Sequence, residues 1–211
     1  MTDKTFLKWF LISILTFVLI ISLIAYYHKL DKTTVIYWWQ DWTQATPENT
    51  RFIGSSTIDR MPLYNLDGCG TTRALGFDNG TVDSLQRYVA GANFAGLNNI
   101  VIYIGENDIA QGQSVEQVWA NLQQLVQYID THSSANIGIM LVKYSPARAR
   151  FHEDYKVLNA LIKKNYKDNV SINTIAFNSI SSRRFYVGDG VHLNAYGYQQ
   201  LFMLITRFCD N

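Results

Sequence analysis

The first pattern in the chain is an unbroken apolar run from Trp9 to Tyr27, 19 residues without a charge. As a helix it is about 28 Å long, close to the ~30 Å hydrocarbon core of a bilayer. A signal peptide is the competing reading, but its apolar region is shorter and ends in small residues at a cleavage site. Here Ala25 is followed by two tyrosines, which suit a membrane interface better than a cleavage site. Residues 1–28 are therefore expected to be a cytoplasmic tip and a transmembrane anchor. Lys4, Lys8 and the α-amino group flank one side of the run, and Lys29 and Lys32 the other. That near tie does not orient the span. The expected orientation, N-terminus in the cytoplasm and the rest extracytoplasmic, follows the habit of single N-terminal anchors. Residues 29–49 read as a stalk, with Tyr37–Trp42 either at the membrane interface or packed under the domain.

From about Thr50 to the end at 211 the pattern changes to short apolar runs alternating with helical periods. Arg51–Gly54, Leu63–Leu66, Ile100–Ile104 and Ile137–Val142 read as strands, and Val170–Ile175 alternates as an edge strand does. Val82, Leu85, Val89 and Ala92 share one helical face. Ser114 with Gln117 forms a capping box ahead of Val115, Val118, Leu122, Leu125 and Ile129. Phe151, Tyr155, Leu158 and Ile162 mark another helix, and Tyr198, Leu201, Ile205 and Phe208 the last, with Asn194 as its N-cap. Buried strands alternating with amphipathic helices predict an α/β domain with a parallel sheet covered on both faces. Its site belongs at the carboxyl ends of the strands.

Composition narrows the function classes. There are 18 Lys and Arg against 17 Asp and Glu, a formal net charge of +1. Such a balance exerts no long-range pull on nucleic acid. The two cysteines form no CxxC or Cys/His cluster, so no structural metal site is expected. His28, His132 and His152 lack partner spacing and read as structural.

Chemistry-bearing residues follow the strands four times. Gly54-Ser55-Ser56-Thr57 closes the first strand and can hold a serine on a tight turn. Asn65–Thr72 is a Gly-rich loop whose backbone N–H groups can approach a ligand. Gly105-Glu106-Asn107-Asp108 offers an uncharged amide as a fixed donor. Asp189-Gly190-Val191-His192-Leu193-Asn194 places a carboxylate and an imidazole three residues apart on one loop. A nucleophilic serine needs a base, and the base needs a carboxylate on its other ring nitrogen. Each piece alone has a bland reading as a turn.

Together, in this order, the four pieces resemble the SGNH hydrolase family, whose name records Ser, Gly, Asn and His. Here those residues are Ser56, Gly70, Asn107 and His192. Phe52–Ser56 (FIGSS) and Asp189–Asn194 (DGVHLN) carry the resemblance most strongly, and it spans about residues 51–200, within a domain expected over 50–211. Two departures stand out: Ser55 occupies a position where the family commonly has Asp, and Asp67 one that is commonly Gly. The resemblance implies a three-layer α/β/α, flavodoxin-like fold with a five-stranded parallel sheet, and ester hydrolysis without a metal or organic cofactor. It implies Ser56 as nucleophile, His192 as base, Asp189 as its orienting partner, and the N–H groups of Ser56 and Gly70 with the Asn107 amide as oxyanion donors.

Family analogy and location favour O-acetyl esters on extracytoplasmic polysaccharide as substrate. Acyl transfer to a sugar hydroxyl, lipid ester or thioester hydrolysis, and a non-catalytic glycan- or protein-binding role are the alternatives. With Cys69 beside the oxyanion loop and Cys209 at the far end of the last helix, roughly 22 Å away, the two are too distant for a bond that needs about 4.4–6.8 Å between Cα atoms. Both are expected to be free thiols.

Overall fold

Strand-forming runs and amphipathic helices assemble as the pattern requires. A computed structural model describes residues 3–27, 31–43, 48–62, 66 and 68–210. Five strands form one parallel sheet: β1 Thr50–Ser55, β2 Thr72–Phe77, β3 Asn99–Tyr103, β4 Asn136–Met140 and β5 Ile172–Ile175, in the order β2-β1-β3-β4-β5. Every residue of β1 and β3 is buried, and β5 lies at an edge with only its end residues buried. Side chains alternate across the pleat. Ile53, Ile100, Ile102, Ile137 and Ile139 enter one apolar layer, and Phe52, Val101, Tyr103 and Met140 the other.

The first layer is closed by α4 (Val82–Val89), α6 (Val115–His132) and α7 (His152–Tyr166). The second is closed by α3 (Ser56–Asp59) and α8 (Ala195–Cys209). Local chemistry sets several boundaries. The Gln117 N–H donates to Ser114 Oγ at 3.3 Å and the Ser114 N–H to Gln117 Oε1 at 3.2 Å, the expected capping box. Asn194 Oδ1 accepts from the Gly197 N–H at 3.0 Å and starts α8.

The strand expected at Leu63–Leu66 falls largely on residues that are not described, 63–65, and Leu66 is in no strand. The second strand is Thr72–Phe77, whose first half is only partly buried. An edge strand interrupted by Arg73 carries a weak apolar signal, and that is why the pattern missed it. The consequence is large: residues 68–71 precede β2 and lie at the amino ends of the strands. Thr50 Oγ1, at the start of β1, donates to the Cys69 carbonyl at 2.7 Å.

The free-thiol expectation falls with it. Cys69 and Cys209 form a disulfide, with Cα atoms 5.0 Å apart. Helix α8 does run away from the site. It ends where the Cys69 loop lies, at the opposite end of the sheet.

The segment expected as a stalk contains a helix, α2 (Lys32–Thr43), laid against the domain. Tyr37 Oη donates to the Gly76 carbonyl at 2.7 Å and Trp38 Nε1 to the Tyr88 carbonyl at 2.6 Å. Asp41, fully buried, pairs with Arg51 at 3.1 Å and Arg73 at 2.8 Å and accepts from Tyr88 Oη at 2.9 Å. A buried arginine needs charged partners, and Arg51 on β1, which also pairs with Glu48, ties α2 in place through Asp41. Helix α1 (Asp3–Tyr27) contains a 20-residue stretch, Thr5–Ile24, with mean hydropathy 2.5 and no burial, long and apolar enough to cross a membrane.

Candidate active site

The turn from β1 into α3 positions the serines. A Cβ on Gly54 would lie 2.3 Å from the Tyr103 carbonyl oxygen and 2.7 Å from Ile58, so only glycine lets β1 and α3 close this tightly. Ser55 is buried at the strand end, and Ser56 is the first residue of α3. It is Ser56 whose Oγ meets His192 Nε2, at 3.0 Å.

His192 comes from a hairpin between a single 3₁₀ turn, Arg183–Phe185, and α8. The Val187 N–H donates to the His192 carbonyl at 2.9 Å, and Tyr186 and Leu193 form an antiparallel bridge. Gly190 has φ of 68°, and its carbonyl accepts from the Ala147 N–H at 3.1 Å, which ties the hairpin to the segment after β4. Asp189 Oδ2 lies 2.7 Å from His192 Nδ1, while Oδ1 accepts from the Val191 and His192 N–H groups at 2.8 and 3.0 Å. Partial burial works against ionisation of Asp189. The hydrogen bonds from the His192 ring and from the two backbone N–H groups outweigh it, and hold the carboxyl well below the usual carboxylate range. An ionised Asp189 fixes the proton of His192 on Nδ1 and leaves Nε2 as an acceptor facing Ser56.

Asn107 sits in α5 (Glu106–Ala110), entered through Gly105 at φ 101°. It is buried, and its Nδ2 donates to the Gly80 carbonyl at 3.0 Å. One N–H of the amide is thereby fixed, which orients the second. Glycine at 80 is needed because its Cβ would lie 2.8 Å from Phe77 Cβ and 3.4 Å from Ser55 Cα.

Gly70 is not in this group. A Cβ there would lie 2.5 Å from Asn49 Oδ1, and the neighbouring Thr71 N–H donates to the same oxygen, all at the amino ends of the strands. The Gly70 loop lies there because the second strand is Thr72–Phe77 and follows it. The loop after β2, Asp78-Asn79-Gly80, is the one that reaches Ser55 and Asn107.

Two buried carboxylates also escaped the sequence reading. Asp108 Oδ1 accepts from the Val82 N–H at 2.9 Å and so holds the start of α4; burial lifts its carboxyl above the usual range. Glu106 accepts from Tyr103 Oη at 2.6 Å and Ser145 Oγ at 2.7 Å and pairs with the fully buried Lys143. Burial opposes the charge on Glu106, but Lys143 and Arg148 nearby, with the bonds from Lys143 and Tyr103, hold it below the usual range. The signal was present: Lys143 is a single charge closing the apolar run Ile137–Val142. This network joins the loop bearing Asn107 to the segment that holds the His192 hairpin. His152 Nε2 donates to the Ser145 carbonyl, 3.0 Å away, and His132 stacks on Tyr128; His28 lies outside the described residues. Among the described residues, no group of three or more His, Cys, Asp or Glu could hold a metal ion.

Comparison with known proteins follows the same lines. A family model described as GDSL-like Lipase/Acylhydrolase matches residues 28–205, a span that includes α2. No curated protein matches the chain. Among solved structures, a protein of Streptococcus pneumoniae is similar with a TM-score of 0.75 at 18% identity, covering 91% of this chain and 99% of that one. A GDSL-like lipase from Bacteroides thetaiotaomicron gives 0.69 at 18% identity, with 84% and 97% covered. An acetylxylan esterase from Geobacillus stearothermophilus, a catalytic mutant with serine changed to alanine, gives 0.62 at 16% identity, with 77% and 94% covered.

Proposed function

The chain belongs to the GDSL-like lipase/acylhydrolase family, and on that premise we propose that it is a membrane-anchored serine esterase acting on small acyl esters, with acetylated extracytoplasmic carbohydrate as substrate. The observation that carries this reading is the hydrogen-bonded chain Ser56–His192–Asp189, with contacts of 3.0 and 2.7 Å. His192 Nε2 takes the Ser56 proton as Oγ attacks the ester carbonyl carbon. The tetrahedral oxyanion is held by the Ser56 N–H and by the Asn107 amide. Collapse expels the alcohol, which leaves with the proton from His192. Water then attacks the acyl-enzyme, giving up a proton to His192, and the acid departs as that proton returns to Ser56. Asp189 remains ionised throughout and steadies the imidazolium.

The acetyl preference draws on the acetylxylan esterase among the similar structures. Two features support an extracytoplasmic domain: the apolar helix α1 and the Cys69–Cys209 disulfide, a bond that persists in oxidising compartments. The full chain in detergent, treated with a fluorophosphonate, is expected to gain one adduct on the peptide carrying Ser56 and none in Ser56→Ala. An adduct on Ser55, or no adduct on folded protein, overturns the assignment. p-Nitrophenyl acetate is expected to turn over faster than the palmitate; the reverse order would favour lipid esters.

Asn107→Ala is expected to lower kcat by about 10²–10³-fold, the usual effect of losing one oxyanion donor, with kcat and kcat/KM falling together. A rise in KM alone would place Asn107 in substrate binding instead.

A further inference from the structure

Helix α2 has two faces of different character. Thr34, Tyr37, Trp38 and Asp41 turn toward the domain, through the contacts given above. On the other side Ile36, Trp39 and Trp42 are 42%, 70% and 71% exposed, and Lys32 is exposed beside them. At 100° per residue Lys32, Ile36 and Trp39 fall on one stripe with Trp42 at its flank. Outside α1, Trp39 and Trp42 are the exposed tryptophans among the described residues. Tryptophans this exposed on an otherwise well-packed domain are unfavourable in water. Tryptophan and lysine beside an apolar span are the composition of a membrane–water interface.

The direction of α2 adds a second constraint. Tyr37 reaches Gly76 while Asp41 reaches Arg73, so α2 runs antiparallel to β2. Its Lys32 end therefore lies toward the carboxyl ends of the strands, the end that carries Ser56. From Tyr27, the end of α1, to Lys32 is five residues, at most about 18 Å of chain. A domain reached by so short a connection cannot stand far from the surface in which α1 ends.

We infer that the outward face of α2 lies in the headgroup region of the bilayer. The domain then docks on the membrane, with the Ser56 end of the sheet nearer to it, and is not held off on a free tether. This rests on α1 remaining as an uncleaved anchor. Esters reached by the site would then be those displayed close to the membrane surface.

The test uses the full chain in vesicles of phosphatidylcholine and phosphatidylglycerol, with and without acyl chains brominated near the headgroup. Trp9 reports on α1, Trp39 and Trp42 on α2, and the half-buried Trp38 and Trp119 are common background. Fluorescence quenching is expected to fall to roughly one third in the Trp39→Phe/Trp42→Phe double variant, because two of the three tryptophans at membrane depth are removed. Trp9→Phe is expected to remove only the remainder. Undiminished quenching in the double variant, with all of it lost in Trp9→Phe, overturns the docking of α2 while keeping the anchor. Failure of the chain to float with the vesicles overturns both. Soluble-substrate turnover in detergent should match the parent in the double variant, which shows that it is folded.

Discussion

Alanine at His192 should lower kcat/KM on p-nitrophenyl acetate by about 10⁴–10⁶-fold, with the thermal midpoint moved by no more than about 2 °C. The reason is the position of Nε2, 3.0 Å from Ser56 Oγ. Without it the hydroxyl must attack with its proton in place, and the leaving alcohol has no acid to receive a proton from. A factor of 10⁴ corresponds to about 5.5 kcal/mol of transition-state stabilisation, more than is expected for Asn107 or Asp189. The small stability effect follows from the hairpin, which is held mainly by backbone bonds and by Asn194, whose Nδ2 donates to the Arg184 carbonyl at 2.8 Å. Asp189→Asn should cost less than the ~10⁴-fold typical of a buried triad carboxylate, because Asp189 is 45% exposed and water can take over part of its role. Steady-state kinetics with matched melting curves check both variants. Retention of a tenth of the parent activity in His192→Ala would remove it as the base.

Replacing Cys69 and Cys209 together by serine should destabilise the domain by about 2–5 kcal/mol. The bridge spans 140 residues of sequence, a loop for which the chain-entropy relation gives about 5 kcal/mol at 25 °C. For a domain of this size that is a drop in melting temperature of roughly 5–15 °C. Activity well below the melting transition should persist, since the bridge joins the amino end of β2 to the end of α8, away from Ser56. The same drop should follow treatment of the parent with a strong reductant. Identical melting curves for parent and double serine variant would show that the bridge does not form in the folded protein. Loss of activity at low temperature with the fold intact would show that the bridge also shapes the site.

These two cases mark where sequence is informative. Residues carrying chemistry at strand ends could be read in order because each loop is local: Asp189 and His192 are three positions apart, and their bond depends on little else. The motif resemblance pointed to Ser56 over Ser55, but the contact that gives the choice a physical reason comes from His192, 136 residues away. The position of the Gly70 loop was not legible for a related reason. Edge strand β2 is half-exposed and interrupted by Arg73, so the usual signature of burial was missing there. Gly70 and Cys69 were therefore expected beside Ser56, whereas both lie at the opposite end of the sheet.

Hydrophobic periodicity alone determined the apolar helix at the N-terminus, the alternation of buried strands and amphipathic helices, and the capped starts of α6 and α8, because each depends on residues within one or two turns of one another. Tertiary structure alone decided which glycine approaches Ser55, that Cys69 and Cys209 meet, that Asp41 binds Arg51 and Arg73 to seat α2, and that Lys143 is buried against Glu106. Those outcomes depend on which ends of distant elements come together. A parallel sheet sets that by the order and direction of its strands, and neither is written in any local stretch of the chain.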